Sequence, residues 1–392
     1  MATRKRAGQI KHWACAVVWL AGLSAAFAGD KPRARLLGIP FDGTPGPLNA
    51  ITDVSGVEVG YTTLISGEGP LKVGVGPVRT GVTAILPRGL KDTLDKPVFA
   101  AGFSLNGNGE MTGAEWVEES GFLEGPVMLT TTHSVGTVRD AVIKWRVAHG
   151  APDPSGYWWS LPVVAETYDG YLNDVNGFHV KDEHVFHALD SAAPGPVAEG
   201  SVGGGTGMIC YEFKGGTGTA SRRLDARHGG YTLGVFVQAN CGLRKQLTIA
   251  GVPVGREIGL PSLRDDDLGS IIIVIATDAP LLPHQLKRLA RRASMGLART
   301  GSVSGNGSGD IFLAFSTANP DAGSTEGTVA LHMLPNESMN GLFSATVQAT
   351  EEAIVNALVA AEPMTGSEGH TVPALPHDEL RRILRKYGRL NE

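Results

Sequence analysis

The chain has 392 residues, 42% of them hydrophobic and 19% charged, enough for a large buried core of ordinary globular composition. Aromatic residues are only 6%, which leaves no stacking platform for single-stranded nucleic acid. The formal net charge is −5, and this acidity argues against a phosphate-backbone partner.

The first 28 residues read as a secretory leader. Arg4, Lys5, Arg6 and Lys11 are its positive start, Trp13 to Leu23 its apolar core, and Ala26-Phe27-Ala28 its small-x-small cleavage site. The apolar run is short for a membrane span, so no anchor is expected once the leader is removed. Cys15 lies inside that run, which does not suit a lipoprotein site. Loss of residues 1–28 takes away four basic residues and no acidic one. It leaves 30 basic against 39 acidic residues, a net charge of −9. The expected compartment is the periplasm or the exterior. Cys210 and Cys241 are the cysteines left after it. Two do not make a disulfide framework, so they read either as small buried hydrophobes or as a pair whose distance the sequence leaves open.

Along the mature chain, Ser55 to Gly67 and Thr80 to Pro87 have strand character, and Asn106 to Gly113 reads as an Asn/Gly-rich loop. Val135, Val138, Val142 and Trp145 recur at helical spacing and predict a helix over 135–147. Val164 to Glu166 ends a strand that delivers Tyr168 to a loop. Two glycine clusters follow within 203–218, then a β-rich run over Leu233 to Ala239. His179, His184 and His187 cluster with Asp182 and Glu183. Their spacing is not that of a zinc peptidase, and a solvated loop is the expectation.

The most informative junction comes next. Ser262 to Asp267 is polar and reads as an exposed loop. Leu268-Gly269-Ser270 follows, and then Ile271 to Thr277 is a continuous apolar run of strand length, the pattern of a central strand buried on both faces. Pro283 opens a helix whose buried face is Leu286, Leu289, Ala290, Ala293 and Leu297, with Lys287, Arg288, Arg291 and Arg292 turned to water and Gly301 as its stop. A loop over 302–309 leads to a strand at Asp310 to Ser316. A long helix is expected over 337–361 and a short one over 378–386. Interleaved buried strands and helices predict layered α/β packing.

A serine at the head of a buried strand, preceded by glycine and a polar loop, suits one chemistry. Its hydroxyl can attack the Gly269 carbonyl, and water can then cleave the ester and free the α-amine of Ser270. An α-amine titrates near about 7.7–8.0 and can serve as base for its own hydroxyl. Gly-Ser by itself is a common turn, and only its place before a buried strand sharpens the reading. No serine stands in G-x-S-x-G, which sets aside the α/β-hydrolase elbow. Ser308-Gly309-Asp310 places a second hydroxyl and a carboxylate at a loop-to-strand transition, where a turn with a local bond would serve equally well. No phosphate-binding G-x-x-x-x-G-K-[ST] is present, and no cofactor or metal is called for.

From about Gly38 to Leu384 the chain resembles the DmpA/BapA family of L-aminopeptidase D-Ala-esterase/amidases and β-peptidyl aminopeptidases. The matching stretches are Ile51–Gly60, Asn106–Gly113, Glu166–Asp174, Gly203–Met208, Gly215–Ser221, Gln238–Gly242, Gly269-Ser270 with its strand, Ser308–Asp310 and Pro376–Asp378. The resemblance implies an α/β (α+β) fold, a four-layer αββα sandwich like that of N-terminal nucleophile hydrolases but differently connected. It implies self-cleavage between Gly269 and Ser270 into an α chain of residues 29–269 and a β chain of residues 270–392. It also implies a homo-oligomer of αβ units, usually a tetramer, acting on a short peptide or aminoacyl amide. Ser270 matches the nucleophile, Asn240 the oxyanion-stabilising Asn, and Tyr168 the tyrosine near the oxyanion. Glu166 matches the glutamate that holds the substrate amine in the β-peptide branch. Ser308 and Asp310 match a Ser-x-acid pair in which some relatives carry Glu. Cys241 stands where bulkier residues often follow the Asn. A catalytically silent periplasmic binding protein on the same scaffold, or a metallopeptidase built on the histidines, are the competing readings.

Overall fold

The computed structural model describes residues 31–150, 159–264, 266 and 269–391. The leader expected over 1–28 lies outside them, as do Asp265, Asp267 and Leu268 of the loop before Ser270. In chain order the first half comprises β1 (Glu58–Ser66), β2 (Val78–Leu86), α1 (Gly89–Asp92), β3 (Val98–Gly107), α2 (Ala114–Ser120), β4 (Phe122–Leu123), β5 (Val127–Thr131), α3 (Val135–His149), β6 (Val163–Thr167) and α4 (Asp182–Asp190). The second half has the hairpin β7 (Ile209–Cys210) and β8 (Phe213–Lys214), then β9 (Gly216–Arg223), β10 (Thr232–Asn240), α5 (Val254–Glu257), β11 (Ser270–Thr277), α6 (Pro283–Arg299), β12 (Gly309–Ser316), α7 (Asn340–Ala360) and α8 (His377–Lys386).

The two larger sheets are ordered β1-β2-β5-β6 and β4-β3-β12-β11-β10-β9. Strand alternation stacks them. On β11, Ile272, Val274 and Ala276 pack with Ile85, Leu129 and Val163 of the four-stranded sheet. The intervening Ile271, Ile273 and Ile275 pack with Leu286 and Leu289 of α6 and Ala349 and Ala353 of α7. On the far side of the smaller sheet, Val82, Met128 and Val164 meet Val138 and Trp145 of α3 and Val185 and Leu189 of α4. The layers are therefore helix, sheet, sheet, helix, the αββα sandwich expected. Both faces of β11 are covered, which is why its sequence runs apolar without alternation. The pairs β5/β6 and β11/β12 are parallel, each joined by a crossover helix, α3 and α6 respectively.

Several expectations are corrected. The histidine-bearing segment is helical from Asp182 to Asp190, because Val185, Ala188 and Leu189 bury one face against the sheet layer. His179 bonds Asp174 at 2.8 Å, and among the described residues no group of His, Cys, Asp and Glu is arranged to hold a metal. The second glycine cluster, to which the sequence assigned no element, leads into β9. A Cβ on Gly218 would fall 2.0 Å from the Ala353 carbonyl oxygen, so glycine lets α7 lie directly on that strand. The long helix begins at Asn340, after a 3-10 turn over Asn336–Ser338. Among the described residues no helix is long and apolar enough to cross a membrane.

Candidate active site

Ser270 opens β11 and is 7% exposed. Register places it opposite Asn240, the last residue of β10, and beside Gly309, the first of β12. Alternation turns Ser270 toward the space between the sheets, the side occupied by Ile272 and Val274. Its Oγ accepts the Gly309 backbone N–H at 3.1 Å. Gly269 is held against the end of β10: a Cβ there would lie 2.4 Å from the Asn240 carbonyl oxygen and 2.5 Å from Cys241 Cα. No other residue fits at that position without moving backbone.

Asn240 is fixed at both ends of its amide. Oδ1 accepts the Ile209 N–H at 2.7 Å, which turns the NH2 group the other way, where one hydrogen goes to the Tyr168 carbonyl at 3.0 Å. The amide carries a second N–H hydrogen, a donor of the kind that an oxyanion beside Ser270 would require. The Tyr168 ring, at the end of β6, is 50% exposed and lines a cavity of about 320 Å³ together with Asn240, Tyr171, Leu263, Arg264 and His370.

Glu166, two residues earlier, is 4% exposed. It is not the solvated charge that an isolated surface carboxylate would be. Oε1 accepts the Glu110 N–H at 3.1 Å, and Oε2 accepts the Thr132 hydroxyl. Burial pushes its carboxyl above the usual range, and these hydrogen bonds only partly oppose that. A buried carboxylate of this kind gains most from a cationic partner. Its neighbour Asp169 is buried beneath the same loop, bonded by Thr131 and Asn173, and burial pushes its carboxyl to about 6.

Ser308 donates to Asp310 Oδ1 at 2.6 Å, and both are buried. The pair brackets Gly309, so it is one backbone unit from Ser270. Asp310 falls opposite Ile271, on the helix-facing side of the sheet. The path from this pair to Ser270 therefore runs by way of Gly309 and the strand end. Cys210 and Cys241 are buried thiols with their Sγ atoms 3.5 Å apart.

Sequence reasoning picked out Ser270, Asn240, Tyr168, Glu166, Ser308 and Asp310, and the fold gathers them at neighbouring strand ends. It missed the groups that orient them: Gly309 and Ile209, which act through backbone N–H groups, and Thr132. It also missed the cavity residues Arg264, Tyr171 and His370, which come from distant segments. A backbone donor leaves no mark on residue type, and no spacing links positions 171, 264 and 370.

A serine at the head of a central strand of an αββα sandwich, with an amide opposite it, defines a hydrolase of the N-terminal nucleophile architecture. The chain belongs to peptidase family S58, whose profile matches residues 49–372, and it is a serine aminopeptidase. It is 56% identical over 384 residues to beta-peptidyl aminopeptidase BapA of Sphingosinicella microcystinivorans, covering 94% of this chain and 96% of that protein. The solved beta-aminopeptidase of Burkholderia sp. superposes with a TM-score of 0.84 at 50% identity, over 91% of this chain and 99% of that one. The L-aminopeptidase D-Ala-esterase/amidase of Ochrobactrum anthropi, described as a prototype of the serine aminopeptidases, gives 0.85 at 50% identity, over 92% and 100% of the two chains.

Proposed function

We propose that this protein is exported, cuts itself between Gly269 and Ser270, and then removes N-terminal β-aminoacyl residues from short peptides and amides. Residues 1–28 are the export signal, and the mature enzyme is periplasmic or secreted. It is a homo-oligomer of αβ units, each an α chain of residues 29–269 and a β chain of residues 270–392. The close fit of Gly269 against Asn240 supports the self-cleavage reading, because the residue before Ser270 is held in a space that admits glycine without moving backbone.

In maturation, Ser270 Oγ attacks the Gly269 carbonyl carbon. The C–N bond breaks as the ester forms, and the nitrogen becomes the Ser270 α-amine. Water hydrolyses the ester to leave a carboxylate on Gly269. In turnover, the α-amine takes the proton from Oγ, and Oγ attacks the carbonyl after the first residue of the substrate. Asn240 Nδ2, with Tyr168 nearby, stabilises the oxyanion. The amine product leaves with a proton, and water clears the acyl-enzyme. Glu166 pairs with the substrate ammonium. Ser308, oriented by Asp310, assists proton transfer at the Ser270 amine. The β-aminoacyl preference rests on the named activity of the 56% identical relative and on the buried carboxylate at Glu166.

Intact mass and N-terminal sequencing of signal-free protein after overnight incubation test this. Two chains, one starting at Ser270, are expected from the wild type, and one inactive chain from Ser270→Ala. An active two-chain Ser270→Ala protein would overturn the assignment.

A further inference from the structure

Glu166 and the cavity lie on opposite flanks of the nucleophile. On the β12 flank, a Cβ at Gly109 would stand 3.3 Å from Glu166 Oε1 and 3.2 Å from Gly309 Cα, so the carboxylate sits beside the strand next to Ser270. On the β10 flank stands Asn240, and the cavity opens from it. A substrate with its ammonium at Glu166 and its carbonyl oxygen at Asn240 sends its leaving group toward that cavity.

The cavity has two kinds of wall. Tyr171 and His370 stack with ring centroids 4.3 Å apart and planes 8° apart, and Leu263 adds an aliphatic surface. Against these stands one guanidinium, Arg264. Its Nη2 donates to the Gly242 carbonyl at 3.1 Å, while its Nε is buried without a hydrogen-bond partner. No carboxylate among the described residues forms an ion pair with it. A guanidinium lining a small, mostly apolar slot, with no carboxylate paired to it among the described residues, matches a ligand with one side chain and one carboxylate. A volume of about 320 Å³ holds a single residue, not an extended peptide.

Building on the aminopeptidase reading above, we infer that this cavity receives the residue released by cleavage and that Arg264 binds its C-terminal carboxylate. The preferred substrates are then dipeptides with a free acid terminus, and Arg264 is a specificity determinant that touches the leaving half of the substrate.

The test compares β-alanyl-leucine, β-alanyl-leucinamide and β-alanyl-aspartic acid α-amide as substrates of the matured two-chain enzyme. The free acid should exceed the leucinamide in kcat/KM by about tenfold or more, chiefly through KM. The aspartyl amide, whose carboxylate is only on the side chain, should match the leucinamide. In Arg264→Gln the ratio of acid to amide should collapse toward one. Equal kcat/KM for acid and amide in the wild type would overturn the assignment, as would an acid preference that survives Arg264→Gln. An aspartyl amide as good as the free acid would assign the pocket to a side chain instead and overturn the C-terminal reading. If Arg264→Gln fails to mature, the wild-type comparison decides. No turnover of any of the three by two-chain protein would remove the aminopeptidase reading itself, whereas turnover without carboxylate preference removes only the pocket assignment.

Discussion

At Gly269 the constraint is steric, because neighbouring backbone leaves no room for a side chain. Gly269→Ala would push a methyl group to within 2.4 Å of the Asn240 carbonyl oxygen and displace the scissile carbonyl from its place before Ser270. Self-cleavage should slow by at least about tenfold, since small displacements of reacting atoms are costly. Accumulation of uncut chain on a denaturing gel over hours measures this, and cutting at the wild-type rate would refute it. At Glu166 the constraint is electrostatic. Burial raises its pKa, so its carboxylate is lost at a higher pH than an exposed glutamate would require. KM for a substrate with a free amine should rise as pH falls through that raised value, while the ammonium of the substrate stays charged. Glu166→Gln should raise KM about tenfold or more at neutral pH and remove this acid limb from the KM profile. An unchanged acid limb in the variant would assign it to another group. The sequence marked both residues by type, but the burial that gives Glu166 its leverage, and the Glu110 and Thr132 bonds that partly offset it, arise only in the folded chain.

Among the elements, those most legible in the sequence were those with a single periodicity. The α6 stripe of Leu286, Leu289, Ala290, Ala293 and Leu297 is buried as the spacing predicts, and β11 reads as a run because sheet and helices cover both its faces. β9 was hidden because its glycines signal turns in isolation. Their reason is the close passage of α7, with Gly218 facing the Ala353 carbonyl oxygen and Ala357. Gly218→Ala should therefore cost about 1–3 kcal/mol by overpacking. The urea midpoint of the uncut Ser270→Ala chain, with and without the change, measures it without chain dissociation. An unchanged midpoint would mean that the helix shifts freely on the sheet. The α4 helix was hidden for the opposite reason. Its three buried residues are few beside its histidines and acids, and only the sheet beneath them makes the face count.

Across the whole molecule, the segment before β1 is tied to the helix layer by a buried ion network. Glu352 of α7 is fully buried and takes Arg35 Nε and Nη2 at 2.7 and 2.8 Å, Asn49 Nδ2 at 2.6 Å and Arg222 Nη2 at 2.7 Å. Burial alone would raise its carboxyl pKa, but the Arg35 bonds and the Arg222 charge outweigh that and hold it below the usual range. Glu352→Ala should cost about 3–5 kcal/mol, because it strands a buried guanidinium. For a depressed acid the stabilisation is present above the unfolded pKa and fades as pH falls through the folded one. The gap between wild type and variant in urea should therefore be full at neutral pH and shrink only below the ordinary glutamate range. A gap independent of pH would point to lost packing as the cause.

By itself the sequence determined the layered α/β class, the central strand and the serine at its head, because these follow from local periodicity and from residue type at one junction. It also carried enough ordered stretches to point to the family and to the side chains of the site. The tertiary structure alone decided which backbone N–H groups hold Ser270 and Asn240, how deeply Glu166 is buried, and where the cavity opens. These depend on strands and loops far apart in the chain meeting at one edge of two stacked sheets. Register and contact across such distances are set by packing, and no local pattern encodes them.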